Sequence, residues 1–225
     1  VPVPLTDDGR HDLTAMAAAI TDRTRVVLVC SPNNPTGTVV RAPEMRDFLA
    51  KVPREVLVVL DEAYVEFVTD DDAADGLART FSKAYGLAGL RVGYAIARPR
   101  LIRGLRAAAT PFGVNALGQA AAVAALREAD EVATRCARIV TERERVVARL
   151  EELGQAVPRT EANFYWLDLG RRATSFAREA AASGAMVRAF DGEGVRVSIG
   201  EPEGNDAVLE LVASWQQTRA ANPVR

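Results

Sequence analysis

Histidine, lysine and cysteine are scarce in this chain, and each shortage removes a class of chemistry. One histidine, His11, occurs among 225 residues, which leaves a zinc site or a Ser-His-Asp triad without support. It lies in a polar turn beside Asp7, Asp8 and Gly9 and reads as a surface residue. The two cysteines, Cys30 and Cys136, are far apart and lack metal-ligand spacing, so no metal site is expected. Cys30 closes an apolar run and is expected to be a buried free thiol. No apolar run approaches the roughly 20 residues of a membrane span. The start, Val1-Pro2-Val3-Pro4-Leu5, lacks the basic-then-apolar order of a signal peptide. It is not Met either, so Val1 need not be the natural start. A net charge of −2 gives no reason to expect nucleic acid or an anionic membrane as partner. A cytoplasmic location is expected.

What is present is an ordinary globular balance, 48% hydrophobic and 26% charged residues, with length for one large domain or two small ones. The first half alternates helix and strand signals. Leu13 to Ile20 and Ala42 to Lys51 read as helices, the latter with Pro43 in a first turn that tolerates it. Val26-Val27-Leu28-Val29-Cys30 and Val56-Leu57-Val58-Val59-Leu60 are continuous apolar runs, the pattern of strands buried on both faces. The alternation predicts a parallel sheet covered by helices. Helical stretches follow at Pro99 to Ala109, Ala116 to Ala129 and Glu131 to Leu153, the last rich in Arg and Glu at i, i+4 spacing. Strand-like pieces at Phe164 to Leu169, Met186 to Ala189 and Val195 to Ile199, then a helix from Asn205 to Arg219, predict a smaller α+β unit. The boundary is placed at Ala129, giving domains 1–129 and 130–225.

The chemistry concentrates in Arg79-Thr80-Phe81-Ser82-Lys83-Ala84-Tyr85-Gly86-Leu87-Ala88-Gly89-Leu90-Arg91. Lys83 is one of only two lysines, and nearly all other basic positions are arginine. A lysine can form an imine with a cofactor aldehyde, whereas arginine cannot. It also needs its proton affinity lowered by desolvation or nearby positive charge. Ser82 offers a hydroxyl and Arg91 a fixed fork of donors suited to phosphate, and Thr80 adds a second hydroxyl. Each has an ordinary alternative: a solvated lysine, a turn serine, a surface ion pair. Two further segments begin where the apolar runs end. They are Ser31-Pro32-Asn33-Asn34-Pro35-Thr36-Gly37 and Asp61-Glu62-Ala63-Tyr64. Alone, the first reads as a Pro/Asn turn and Asp61 as a turn cap. In open α/β sheets the C-terminal strand ends are where ligands bind.

Together these three motifs resemble the fold-type I pyridoxal-phosphate aminotransferases, in particular the histidinol-phosphate and aromatic amino acid aminotransferase subfamily. The resemblance is collinear across nearly the whole chain. It implies an α/β, aspartate aminotransferase-like fold with a mostly parallel sheet in the large domain and a small α+β C-terminal domain. It also implies pyridoxal 5'-phosphate as cofactor and amino transfer between histidinol phosphate or an aromatic amino acid and 2-oxoglutarate. By this resemblance Lys83 is the catalytic, covalently attached lysine, and Asp61 is a buried carboxylate facing the pyridine nitrogen. Asn34 and Tyr64 face the phenolic oxygen, with a cis Asn34-Pro35 bond allowed. Ser82 and Arg91 hold the phosphate. Arg196, in Gly194-Val195-Arg196-Val197-Ser198-Ile199-Gly200, meets the carboxylate or phosphate of the substrate. Asn163 lies near the substrate, and Arg188 is a weaker candidate. The partners implied are a small-molecule amino donor, a 2-oxo acid acceptor and a second copy in a homodimer.

Two departures stand out. The family has a large segment ahead of residue 1. It holds a glycine-containing helix start at the phosphate, an aromatic stacked on the pyridine ring, and residues lent to the neighbouring subunit. The family also has a strand before the Arg-Thr-Phe-Ser-Lys motif. Here Asp75-Gly76-Leu77 runs almost directly into Arg79 with no room for it, so residues are expected to be missing near Leu77–Arg79. Three rival readings follow: a decarboxylase on the same scaffold, a truncated non-catalytic partner subunit, and a nucleotide-binding domain. The last is disfavoured by the absence of Gly-x-Gly-x-x-Gly and P-loop motifs.

Overall fold

The computed structural model describes residues 1–76 and 78–221. Helix α1, Leu13–Ala18, starts where the Asp12 carboxylate accepts the Ala15 N–H at 2.8 Å. Strand β1, Val26–Cys30, follows, then α2, Ala42–Lys51, whose Glu44 carboxylate accepts the Arg41 N–H at 2.8 Å. Strand β2, Leu57–Asp61, lies parallel to β1 in a register that sets Cys30 opposite Asp61. Both loops that carry site candidates therefore leave the same edge of the sheet.

One face of β1 is packed by α1 and α2. Val29, Val40, Met45 and Phe48 are buried there, with Leu13 and Met16 against them, and full burial of such side chains contributes about 1.5–3 kcal/mol each. The expectation that β1 is buried on both faces is corrected: Val26 is 51% and Leu28 67% exposed. Residues two apart share a face of a strand, so this second face is largely open at Val26 and Leu28.

Strand β3, Ala78–Thr80, pairs parallel with β2 through Asp61 and Ala78 and antiparallel with β4, Gly93–Ala95. The sheet order is β1-β2-β3-β4. A strand thus does form before the lysine, against expectation. It is only three residues long and takes most of its pairing from β4, not from β2. Leu77, where a missing segment is expected, lies outside the described residues.

Helices α3, Pro99–Ala108, and α4, Ala116–Arg127, lead into the 24-residue α5, Ala129–Glu152. A second, antiparallel sheet of order β5-β7-β6 follows. Its strands are β5, Phe164–Asp168, β6, Arg188–Phe190, and β7, Gly194–Ser198. Helix α6, Ala173–Ala182, was not foreseen, and α7, Pro202–Ala221, starts earlier than expected. The inner face of α5 packs with this sheet, α6 and α7 around Val146, Leu150, Tyr165, Leu167, Phe176 and Val195. A smaller cluster joins the two sheets: Tyr64 and Phe67 after β2, Cys136 on α5, and Ala162 and Phe164 at the start of β5. No helix of the described residues is long and apolar enough to cross a membrane.

Candidate active site

The loop after β1 is tied by its own main chain and side chains. The Asn33 N–H donates to Thr38 O and the Gly37 N–H to Asn33 O, each at 2.7 Å. The Thr36 hydroxyl donates to Gly9 O at 2.7 Å, and Ser31–Pro32 and Asn34–Pro35 are cis. Asn33 is buried, so the neighbouring Asn34 is the side chain left projecting outward. Its Oδ1 accepts from Arg196 Nη1 at 2.8 Å. A guanidinium has no acceptor, so the amide oxygen must face it. The Asn34 NH2 group is then the one left to point at a ligand.

Asp61 ends β2 and is exposed, its Oδ1 accepting the Ala63 N–H at 3.0 Å. This corrects the expectation of a buried carboxylate. The buried one is Glu62, fully enclosed, accepting from Gly76 N–H at 2.8 Å and Arg79 Nε at 3.4 Å. Successive side chains on extended backbone turn to opposite faces, and the Glu62 N–H, just past β2, still donates to Ala78 O at 2.9 Å, so Asp61 meets the open side and Glu62 the interior, where burial raises its pKa. Tyr64, 5% exposed, caps a 3-10 turn at Val65–Phe67 and meets the Phe164 ring edge-on, centroids 4.9 Å apart. Its hydroxyl pKa is raised by burial. Arg196 and Arg188 oppose that shift, while Cys30 and Asp61 add to it. Those causes place Tyr64 within electrostatic reach of residues from both sheets.

Lys83 follows β3 and holds its Nζ 5.3 Å from the Tyr64 ring centroid. It is exposed, so the desolvation invoked for it is not supplied by the described residues. Beside it the Thr80 hydroxyl donates to Ser82 Oγ at 2.9 Å, and Arg91 Nη1 donates to the same oxygen at 3.2 Å. Arg91 takes φ +56°, a conformation uncommon outside glycine, which turns its side chain back to Ser82 and to Ala88 O at 2.9 Å. Hydroxyls and a guanidinium at one point form a donor set for an oxyanion.

Arg196, on β7, stacks on the Phe164 ring, Cζ 5.1 Å from its centroid, and Arg188 stands directly opposite on β6. Arg196 Nε and Asn163 Oδ1 are both buried without a hydrogen-bond partner. Orphaned buried polar atoms cost about 1–3 kcal/mol each, and a bound anion or amine would satisfy them. Phe164 was missed from sequence, although it adjoins Asn163 there; its role as a shared floor under Tyr64 and Arg196 needs the fold.

Two other expectations are corrected. His11 is half-buried: its Nε2 lies 3.0 Å from Cys30 O and 3.3 Å from the Cys30 N, under the end of β1. Burial pushes its pKa down, against the Cys30 carbonyl. Cys30 is a free thiol but only partly buried, pushed up to about 11 by burial and by Asp61. Among the described residues no group of three or more His, Cys, Asp or Glu could hold a metal ion. A cleft of about 720 Å³ between Leu5, Arg10, Pro35, Arg41 and Trp166 contains none of the candidates above. The converging side chains, not that volume, define the site, because they alone bring a nucleophile, a carboxylate and anion donors together.

Residues 1–212 match the family model for aminotransferase class I and II. The chain is 55% identical to an aromatic amino acid aminotransferase of Streptomyces avermitilis, over 96% of this chain and 64% of that protein. Histidinol-phosphate aminotransferase from Sinorhizobium meliloti, solved in complex with pyridoxal-5'-phosphate, is similar with TM-score 0.83 and 30% identity. That match covers 97% of this chain and 64% of the other. L-threonine-O-3-phosphate decarboxylase from Porphyromonas gingivalis is similar with TM-score 0.74 and 25% identity, over 88% of this chain and 66% of the other. The chain spans less than two thirds of the length of the first two curated relatives it matches. The Streptomyces avermitilis match runs over 228 residues, more than the 225 here, so that relative carries residues this chain lacks within the matched span.

Proposed function

This chain belongs to the aminotransferase class I and II family, and on that premise we propose that the protein is a pyridoxal-phosphate-dependent transaminase. Its amino donor is an aromatic amino acid or histidinol phosphate, and its acceptor is 2-oxoglutarate. The observation that carries the reading is the meeting of Lys83, Tyr64, Asn34 and Arg196, four side chains from separate segments, at one end of the parallel sheet. The aromatic donor is favoured by the 55% identity to an aromatic amino acid aminotransferase.

The residues fit the cofactor. Ser82, Thr80 and Arg91 already converge as oxyanion donors. The Asn34 amide and the Tyr64 hydroxyl are the donors for the phenolic oxygen, and Asp61 is the carboxylate for the pyridine N–H. Lys83 is the attachment point. Bound, pyridoxal phosphate supplies an electron sink for the bond broken at the substrate Cα. Lys83 Nζ would be the base that takes the proton from the substrate Cα. Arg196 fixes the substrate carboxylate or phosphate and so orients Cα toward Lys83. Asn163 sits beside it, with Arg188 opposite as a second positive group. Amino acid and oxo acid use the site in turn, which predicts ping-pong kinetics.

We read residues 1–129 and 130–225 as the large and small domains, and the working protein as a cytoplasmic homodimer. A decarboxylase reading is favoured by one observation, the likeness to the Porphyromonas gingivalis enzyme. The test is an absorbance titration with pyridoxal phosphate, borohydride reduction and peptide mapping, then turnover of phenylalanine or tyrosine with 2-oxoglutarate. Label on Lys83 with oxo acid and glutamate formed supports transamination, and carbon dioxide release supports the decarboxylase. A folded protein with neither label nor product overturns both and leaves a non-catalytic partner role.

A further inference from the structure

Helix α5 turns Cys136, Arg143, Val146 and Leu150 inward. Three of these are apolar, and the fourth is a guanidinium with 4% of its side chain exposed. An arginine on a buried stripe is costly unless its donors are all directed at acceptors. Here Arg143 Nη1 donates to Phe67 O at 3.0 Å and Ala162 O at 3.3 Å. Its Nη2 donates to the Thr69 hydroxyl and to Glu161 Oε2, both at 3.4 Å. Glu161 is 2% exposed, and its Oε2 also accepts the Thr69 N–H and O–H, each at 2.8 Å.

Three arms leave this pair, two through its side chains and one through the Glu161 main chain, and each leads to a site residue. The Glu161 N–H donates to Gly37 O at 2.8 Å, and the Gly37 N–H closes the loop that presents Asn34. Gly37 has φ +79°, and a Cβ on it would lie 2.6 Å from Thr160 Cβ, so the segment before β5 is seated directly on that loop. Phe67 ends the turn capped by Tyr64, whose carbonyl accepts the Phe67 N–H at 3.1 Å, and Thr69 follows two residues on. Ala162 is followed by Asn163 and by Phe164, the ring beneath Arg196 and against Tyr64.

We infer that Arg143 and Glu161 are positioning residues of this site: without touching a ligand, they set the Asn34 loop, the Tyr64 turn and the Phe164–Arg196 platform in one register. An apolar pair could fill the same space, but it would lose the side-chain bonds to Phe67 O, Ala162 O and Thr69 and leave only the main-chain bond from residue 161 to Gly37 O to hold the register. What the site holds rests on the proposed pyridoxal phosphate function; the register itself does not.

The test uses the full chain with Arg143→Met, Glu161→Gln, and the double variant Arg143→Met/Glu161→Leu, which removes both buried charges together should the first fail to fold and leaves the exposed Arg159, which also meets Glu161, to Asp70. Amide hydrogen exchange is read first, without added cofactor, because it resolves local opening. The expected result is exchange faster by about tenfold or more, roughly 1.4 kcal/mol of local stability, at residues 33–37 and 64–69, with β5 and β7 still protected. Glu161→Gln, which keeps an acceptor for Thr69, should lie between wild type and the others. The dissociation constant for pyridoxal phosphate should rise with the loosening, and saturating cofactor should restore label on Lys83. Unchanged exchange at both loops in a folded variant overturns the inference, even if cofactor binds. Loss of folding in every variant also overturns it, since the pair would then serve the whole fold. Loosened loops in a protein whose wild type never binds pyridoxal phosphate support the inference and sink the functional reading instead.

Discussion

Arg196 Nη1 donates to Asn34 Oδ1 across 2.8 Å of space and 162 residues of chain. The contact joins the small antiparallel sheet to the loop after β1, so the arginine proposed to meet substrate and the amide proposed to meet cofactor are set by one hydrogen bond.

Replacing Arg196 by lysine keeps the charge and removes the fork. Hydrogen bonds to charged groups contribute about 1.5–3 kcal/mol, so KM for an anionic substrate should rise about tenfold to a hundredfold. Steady-state kinetics with phenylalanine and with 2-oxoglutarate measure this. An unchanged KM for both would remove Arg196 from the substrate site.

Gly37→Ala places a side chain at positive φ and against Thr160. Strain of this kind costs about 1–3 kcal/mol, and the overlap adds to it. Urea unfolding should show a loss of at least about 2 kcal/mol. Full stability in the variant would mean that the Thr160 segment moves away easily.

Tyr165 is fully buried and its hydroxyl has no partner, and burial alone raises its pKa. Removing an unsatisfied buried hydroxyl should be neutral or stabilising by up to about 1–3 kcal/mol. Tyr165→Phe is therefore expected to hold or raise the urea midpoint. A clear drop would reveal an acceptor for that hydroxyl.

His11 has its pKa lowered below 6.5 by burial. The unfolded chain then takes up the proton first as pH falls, so the unfolded state is favoured. The contribution of His11 to stability is whole above about 6.5 and is lost as pH drops through its folded value. Glu62 and Glu66, raised by burial, work in the opposite sense in a window opening near 4.5. The difference between wild type and His11→Gln, followed by urea unfolding from pH 8 to pH 5, isolates the histidine. Parallel pH profiles would show that His11 does not titrate differently in the fold.

The chemistry of the chain was legible without a structure because it depends on residue type. Arginine cannot form the imine proposed for Lys83, and the segments that carry Asn34 and Asp61 begin where continuous apolar runs end. The parallel pairing of β1 with β2 followed from the same pattern. What was not legible depended on direction and on partners distant in sequence. At the end of β2 Asp61 turns outward and Glu62, the next residue, turns inward, which no count of carboxylates could separate. The open face of β1, with Leu28 exposed, depends on what packs there and not on how apolar the run is. Arg143 looked like one more member of a charged helix until the fold placed Phe67, Ala162 and Glu161 around it. Residue identity set which reactions the chain can support. The long-range hydrogen bonds, which exist only once segments over a hundred residues apart are packed together, decided where each group points.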